Sequence, residues 1–424
     1  MTGADVSPPG TDNQIPRSAF IALGLASFGS GMSMRVADPM LIRLSSEFSV
    51  SVGTVSAVIT AFSVAYGIAQ LLFGPLGDRY GKYFVIAFGC LFCSVTTLLC
   101  AASTDFSTLL AARLLAGASC AALIPLSMAW IGDVVPYERR QAVLARFMIG
   151  LILGNGVGVL LGGFCADYLD WRIPFLLIAA AFLFTGTYLS HLRSQLPTHA
   201  LAKGDLLGEL SQPLWKSFSK IVAVPWARVI LVSVFIEGAL VFGTLAFIPT
   251  VLHLRLGMSL TAAGSVVMLF GFGGLCFAIF SPSFVRLLGE VRLIRAGACV
   301  MSITMLTIGY SPSWWFTLPA CFLFGVGFYM MHNTLQINAT QMVPARRGAA
   351  VAAFASCFFF GQAVGVGATG YLLDKTDSAH LSIVFSIAVL GVGLHLANAC
   401  KRRSALSWLD ALPDKIAPTH LSAN

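Results

Sequence analysis

The sequence predicts an all-α polytopic membrane protein, with twelve transmembrane helices in two pseudo-symmetric six-helix bundles. Three observations carry that reading. The charge content is too low for a water-facing surface, apolar runs of bilayer length recur along the chain, and a pattern of glycines and an acid returns at a fixed interval. Of 424 residues, 57% are hydrophobic and only 10% are charged, and the mean hydropathy is +0.84. A water-soluble domain carries about 25% charged residues, because its surface must be hydrated.

The apolar runs have the length of membrane spans. A helix crossing a ~30 Å hydrocarbon core needs about 20 apolar residues. Residues 83–102 form one such run without a charge, and 173–190 and 382–399 are others. Twelve runs are centred near residues 29, 63, 92, 118, 154, 182, 240, 270, 303, 327, 360 and 391. In lipid only helices and closed barrels satisfy every backbone group. The period-two alternation of barrel strands is absent here, so each run reads as a helix. The first reads as a retained span rather than a cleaved signal, because its apolar region is too long and only Arg17 precedes it.

The basic balance reports orientation. A net charge of +8 invites a nucleic-acid reading, but its distribution argues against one. With both termini cytoplasmic, four Lys or Arg fall outside (Arg43, Arg172, Arg255 and Lys375) and two lie within spans (Arg35 and Arg113). The remaining 20 of the 26 face the cytoplasm. That asymmetry is the positive-inside rule, which sets topology; the expected location is the cell (inner, cytoplasmic) membrane, with multiple passes. All ten cysteines fall in or beside apolar runs. Cys90 and Cys93 form a CxxC without a neighbouring His or carboxylate, so they read as small packing residues and no metal or cofactor is expected.

Hydrophobicity drops between the sixth and seventh runs, where Arg193, Lys203, Asp205, Glu209, Lys216 and Lys220 cluster. The chain thus divides into a cytoplasmic tail (1–17), a first bundle (18–192), a cytoplasmic linker (193–226), a second bundle (227–400) and a second cytoplasmic tail (401–424). The halves resemble each other. Val135-Pro136 with Arg139-Arg140 returns as Val343-Pro344 with Arg346-Arg347. Phe147, Gly154, Gly158, Gly163 and Asp167 match Phe354, Gly361, Gly365, Gly370 and Asp374, each pair 207 residues apart. Parallel six-helix repeats of this kind place a transporter's site near the midplane between the halves.

The most specific motif joins the second and third spans: Gly74-Pro75-Leu76-Gly77-Asp78-Arg79-Tyr80-Gly81-Lys82. It resembles the signature loop of the major facilitator superfamily. The resemblance runs from about residue 18 to 400. It implies two bundles rocking about a central cavity, with Gly74, Asp78, Arg79, Gly81 and Lys82 as a conformational latch that docks near Gly348. The second-half copy is reduced to Pro282, Arg286 and Gly289.

Further matches are less specific. Arg113 with Gly117 resembles the family's fourth-span motif, in which an arginine serves proton coupling. Its alternative is a side chain that snorkels to the interface. Gly154, Gly158, Gly162 and Gly163 resemble the glycine motif of the drug–proton antiporter branch, although Val159 stands where that motif carries proline. These four, with Gly361 and Gly365, are expected to allow close helix packing. Trp171-Arg172 is also family-like, and reads equally as an interfacial anchor.

The residues themselves supply the coupling candidates. A charge at mid-bilayer costs roughly 2.5–3.5 kcal/mol even on the lenient insertion scale, so it is seldom kept without a role. Arg35 and Asp38 share a helix face by their spacing, with Pro39 set to kink the span. Asp38 is the first choice for the proton-binding group, against a static ion pair, and Glu237 in the seventh span is the second. The tenth span is unusually polar, and Tyr329, His332, Asn333 and Gln336 are substrate-cavity candidates, against a role as interhelical glue. Tyr66 and Gln70, one turn apart, join that set. Asn155 and Gln362 occupy repeat-related positions and read as packing.

The branch that the chain most resembles is proton-coupled efflux of drugs, sugars or metabolites. The nearest alternative is uptake of a small organic acid, sugar or amino acid by proton symport or uniport, which Arg35 and Arg113 would suit. A transport-dead membrane sensor is the alternative of another class. No zinc-type His/Glu motif, Gly-x-Ser-x-Gly elbow or Walker loop is present, so no enzyme is expected. The expected partners are a small-molecule substrate, protons and the bilayer, without nucleic acid, and the expected state is a monomer.

Overall fold

The computed structural model describes residues 15–201, 214–376 and 378–410. Among them are eleven helical stretches long and apolar enough to cross a membrane. Spans one to six are Arg17–Phe48, Val52–Tyr80, Lys82–Ala101, Phe106–Val134, Tyr137–Tyr168 and Ile173–Gln195. Span seven is Pro225–Leu256, and spans ten to twelve are Trp314–Gln341, Arg347–Leu373 and Ser378–Arg403. The remaining stretch, Leu260–Tyr310, is interrupted at Gly289, whose φ of 67° and ψ of 171° are not helical. It supplies spans eight and nine, so the chain crosses twelve times. Gly81, with φ of 93°, makes the corresponding turn between spans two and three. Both turns need a residue without Cβ.

Three spans are broken, each at or just before a proline. Span one is helical over Arg17–Arg35, passes through a short 3-10 turn at Asp38–Met40, and resumes over Leu41–Phe48. Pro39 has no N–H to continue the ladder there. Span seven breaks in the same way after Leu245 and resumes at Ile248, followed by Pro249. Span four is divided between Cys120 and Leu123, just before Pro125. Its start carries a capping box, in which the Asp105 carboxylate accepts from the Thr108 N–H and the Thr108 hydroxyl oxygen accepts from the Asp105 N–H. Hydrogen bonds from Ser107 and Thr108 hold the Asp105 carboxyl down at about 2.

The two halves pack by the same plan. Span one lies against five and span seven against eleven; three meets six and nine meets twelve; two meets four and eight meets ten. Each half has its own apolar core. Residues after span six stay with the first half, where Leu196 and Ala200 are buried and Trp130 Nε1 donates to the Ala200 carbonyl at 2.7 Å. A short helix, Leu214–Ala223, leads into span seven. Cys93 and Cys120 bring their sulfurs to 3.5 Å inside the first core, beside Cys90.

Between the bundles, span two faces eleven and span five faces eight. These contacts run from the end distant from the termini and linker as far as the middle. Asp374 meets Ser51 and Gly53, the Thr60 hydroxyl donates to the Ala363 carbonyl, and Gln362 Nε2 donates to Ser63 Oγ at 3.0 Å. The Tyr66 ring lies 4.1 Å from that of Phe359. Toward the linker end, a β-carbon added at Gly74, Gly132 or Gly348 would meet nothing within 4 Å. Among the described residues, the hydrogen bonds and close glycine contacts between the bundles lie at the linker-distal end and the middle.

Candidate coupling and substrate site

The break in span one places Asp38 inside the first bundle, fully buried at 0% exposure. Arg35 Nη1 lies 3.1 Å from Asp38 Oδ2. The pair is close but poorly aligned, and neither carboxylate oxygen nor either terminal nitrogen of Arg35 makes a hydrogen bond among the described residues. Arg113 is held more firmly. Its Nε donates to the Val58 carbonyl at 3.2 Å, its Nη1 to the Ser33 carbonyl at 3.0 Å, and its guanidinium stands 4.3 Å from the Phe62 ring centre. Arg113 is thus anchored in backbone and aromatic surface and does not snorkel. Arg35 instead reaches across the midline, with its guanidinium 5.0 Å from the ring of Phe242 in span seven.

The second bundle holds a different pair. Glu237 is fully buried, and His332 Nδ1 of span ten lies within hydrogen-bond distance of its Oε2 at 2.7 Å. When the carboxylate is ionised, this bond fixes the tautomer with the proton on Nδ1. The imidazole packs among phenylalanines, with ring centres 4.8 Å from Phe328, 4.9 Å from Phe358 and 5.7 Å from Phe354. Phe242 closes the group at 5.2 Å from Phe358. Phe242 therefore stands between the two polar pairs, touched by Arg35 on one side and by the aromatic cluster on the other. Nothing in the sequence marks these phenylalanines among its 32.

The other cavity residues are spread more widely. Tyr329 is half-buried, 5.1 Å from Phe328 and packed on Gly274. Tyr66 is buried at the junction of the bundles, and Gln70, one turn on, is half-buried with its Oε1 unbonded among the described residues. Asn333 is half-buried and Gln336 is exposed, so span ten does not turn all its polar residues toward His332. Asn338 donates to Glu290 at 2.6 Å, a partner the sequence pattern did not suggest. Gln362 bonds across to span two, whereas its repeat mate Asn155 leaves its Oδ1 unbonded among the described residues.

The signature loop is disengaged. Asp78 lies 3.7 Å from Lys82, which bonds Asp133 at 2.6 Å, and the Arg79 guanidinium stands 5.2 Å from the Tyr80 ring. Asp78 is 38% exposed, and the expected dock near Gly348 is not met in this conformation, where a β-carbon at Gly348 would have nothing within 4 Å. Trp171 also differs from an interfacial anchor. It is buried at 0%, edge-on to Phe48 and Phe175, since the linker-distal end of span one folds over it.

The glycines separate into two functions. Gly154, Gly158 and Gly162 face span one, and a β-carbon at Gly158 would lie 2.7 Å from the Met32 carbonyl. Gly361 and Gly365 face span seven at the repeat-related Phe235 and Ala239. Gly163 turns to the opposite bundle, against Leu260.

Known proteins share this architecture. The MFS-type transporter YwfA of Bacillus subtilis (strain 168) is 26% identical over 317 residues, covering 74% of this chain and 76% of that protein. Multidrug resistance protein 1 of the same organism is 24% identical over 406 residues, covering 95% and 96%. Among solved structures, a bacterial homologue of the human lysosomal transporter Spinster, inward-facing and unoccupied, matches with a TM-score of 0.67 at 16% identity. That match covers 92% of this chain and 97% of the other. The sequence profile of the Major Facilitator Superfamily matches residues 23–366. With twelve spans in two like bundles around buried charges, the chain belongs to the Major Facilitator Superfamily, and it is a membrane transporter of small molecules rather than an enzyme.

Proposed function

We propose that the chain exports a drug-like, sugar or metabolite substrate across the cell membrane in exchange for protons, by alternating access. One observation carries the reading: the buried Asp38 carboxylate stands 3.1 Å from Arg35 as its counter-charge, and Arg35 also lies over Phe242 of the other bundle. Protonation of Asp38 would remove the counter-charge of Arg35. The guanidinium would then gain most by moving toward the cavity and the aromatic face of the second bundle. A proton bound in one bundle is thereby felt by the other. Arg113, fixed by two carbonyls of the same bundle, is a cation that stays in place while Arg35 moves. With both termini cytoplasmic, the linker end, where Gly74, Gly132 and Gly348 have open space beside them, faces the cytoplasm, the side from which an exporter loads. The resemblance to Multidrug resistance protein 1 over almost the whole chain supports export.

Glu237 and His332 supply a second protonatable pair beside a phenylalanine-lined surface suited to an apolar or aromatic solute. A second reading, uptake of an organic anion, draws on the two guanidiniums that face a single carboxylate in the first bundle. The deciding measurement uses the purified protein in sealed vesicles with an imposed pH gradient and a panel of drug-like, sugar and organic-acid compounds. Export by exchange requires the compound to move against the direction of the proton. Movement in the same direction, or movement indifferent to the gradient, would exclude it.

A further inference from the structure

Asp167 and Asp374 form a repeat pair that neither polar centre uses. Each lies one turn past a glycine that lets its helix close on the opposite bundle. A β-carbon at Gly163 would stand 2.5 Å from the Leu260 carbonyl, and one at Gly370 would stand 3.0 Å from the Gly53 carbonyl. The Asp167 carboxylate accepts from the Leu260 N–H at 3.1 Å, the Thr261 N–H at 2.7 Å and the Thr261 hydroxyl at 2.6 Å. Those are the first N–H groups of span eight, which Ser259 caps. The Asp374 carboxylate accepts from the Gly53 N–H at 3.1 Å and the Ser51 hydroxyl at 2.6 Å, at the Ser51-capped start of span two. The receiving ends also repeat: Ser51 with Ser259 and Gly53 with Thr261, each pair 208 residues apart.

The same exchange is therefore made twice. The fifth helix of each bundle sends a carboxylate to the N-terminus of the second helix of the other bundle. We propose that Asp167 and Asp374 are paired latches that hold the linker-distal end of the cavity shut, and that both must release before that end opens. The first N–H groups of a helix have no partner within it and carry the positive end of its dipole, so a carboxylate bonds them strongly. Such bonds act over a short range and are lost once the helices separate by a few ångströms. The two sit on opposite flanks, at the five–eight and eleven–two contacts. One released alone does not open that end, but it lowers the cost of the joint release. The proposal holds for any solute and any direction of transport.

The test is hydrogen exchange by mass spectrometry on the full-length protein in nanodiscs, comparing wild type with Asp167→Ala, Asp374→Ala and the double variant. A distance between spin labels at the exposed Ser46 and Leu254, near the linker-distal ends of spans one and seven, is read in a background with the native cysteines replaced. The double variant is expected to exchange about tenfold faster at the starts of both span two and span eight, and to lengthen the label distance. Each single variant is expected to quicken exchange at the remote helix start as well as at its own. Faster exchange only beside the replaced carboxylate, with an unchanged distance, would mean local capping and would overturn the proposal. Should the alanine variants fail to fold, Asp167→Asn and Asp374→Asn carry the same comparison, since they keep an acceptor and lose the charge.

Discussion

Glu237 of span seven and His332 of span ten are joined by one short bond, Nδ1 to Oε2 at 2.7 Å, inside a ring of phenylalanines. The other carboxylate oxygen, Oε1, is buried without a hydrogen bond among the described residues. Cutting a buried pair from one side costs roughly 3–5 kcal/mol, because the remaining charge is left without compensation. His332→Ala is therefore expected to lower the unfolding temperature, and Glu237→Gln added to it to recover much of the loss. Thermal unfolding of the two single variants and the double variant reads this directly. Additive losses would show that the two side chains act separately.

Asp38→Asn keeps the volume and polarity of the side chain and removes its capacity to bind and release a proton. The expected outcome is loss of substrate-linked proton movement in sealed vesicles, with expression and unfolding temperature close to wild type. Accumulation at the wild-type level would take Asp38 out of the mechanism. Arg113→Lys is expected to impair the same movement less completely. A lysine keeps the charge but cannot bond both the Ser33 and Val58 carbonyls from one planar group.

The contact of spans one and five can be probed through its glycines. Gly158→Ala would set a β-carbon 2.7 Å from the Met32 carbonyl, whereas one at Gly24 would meet nothing within 4 Å. Overpacking of this kind costs roughly 1–3 kcal/mol. Gly158→Ala is expected to lower the unfolding temperature and Gly24→Ala to leave it level or raise it. Equal effects would mean that the two helices separate without strain.

Much of the architecture was legible because it follows from solvent. Runs of apolar residues without charge admit only one backbone solution in lipid, and the repeat at 207 residues announced the two bundles. The Arg35–Asp38 contact needed only their spacing of three residues, although the helix ends at Arg35 and a 3-10 turn carries Asp38. The bond from His332 to Glu237 was not legible, because the two lie 95 residues apart and no local period connects them. Nor was the division among the glycines. Gly158 and Gly163 are five residues apart, which turns the second well away from the first around the helix. Which neighbour each face then meets depends on how all twelve spans assemble. Depth was hidden as well: Asp38 is buried because span one breaks at Pro39 and continues past it to Phe48.

Asp78 separates the latch reading from a merely local one. In this conformation its ion pair is with Lys82, at 3.7 Å on an exposed surface, and such pairs contribute about 0–1 kcal/mol. Asp78→Asn should hardly change the stability of the conformation described here. The state in which the linker end closes would lose its dock, so the equilibrium should move toward the conformation described here. Labelling of Gly348→Cys by a membrane-impermeant maleimide reads that shift, in a background where the exposed native Cys299 is replaced. The rate is expected to rise in the Asp78→Asn protein, because the site spends more time uncovered. An equal rate in both proteins would mean that the loop fixes topology alone, and that the carboxylate has no part in closing the linker end.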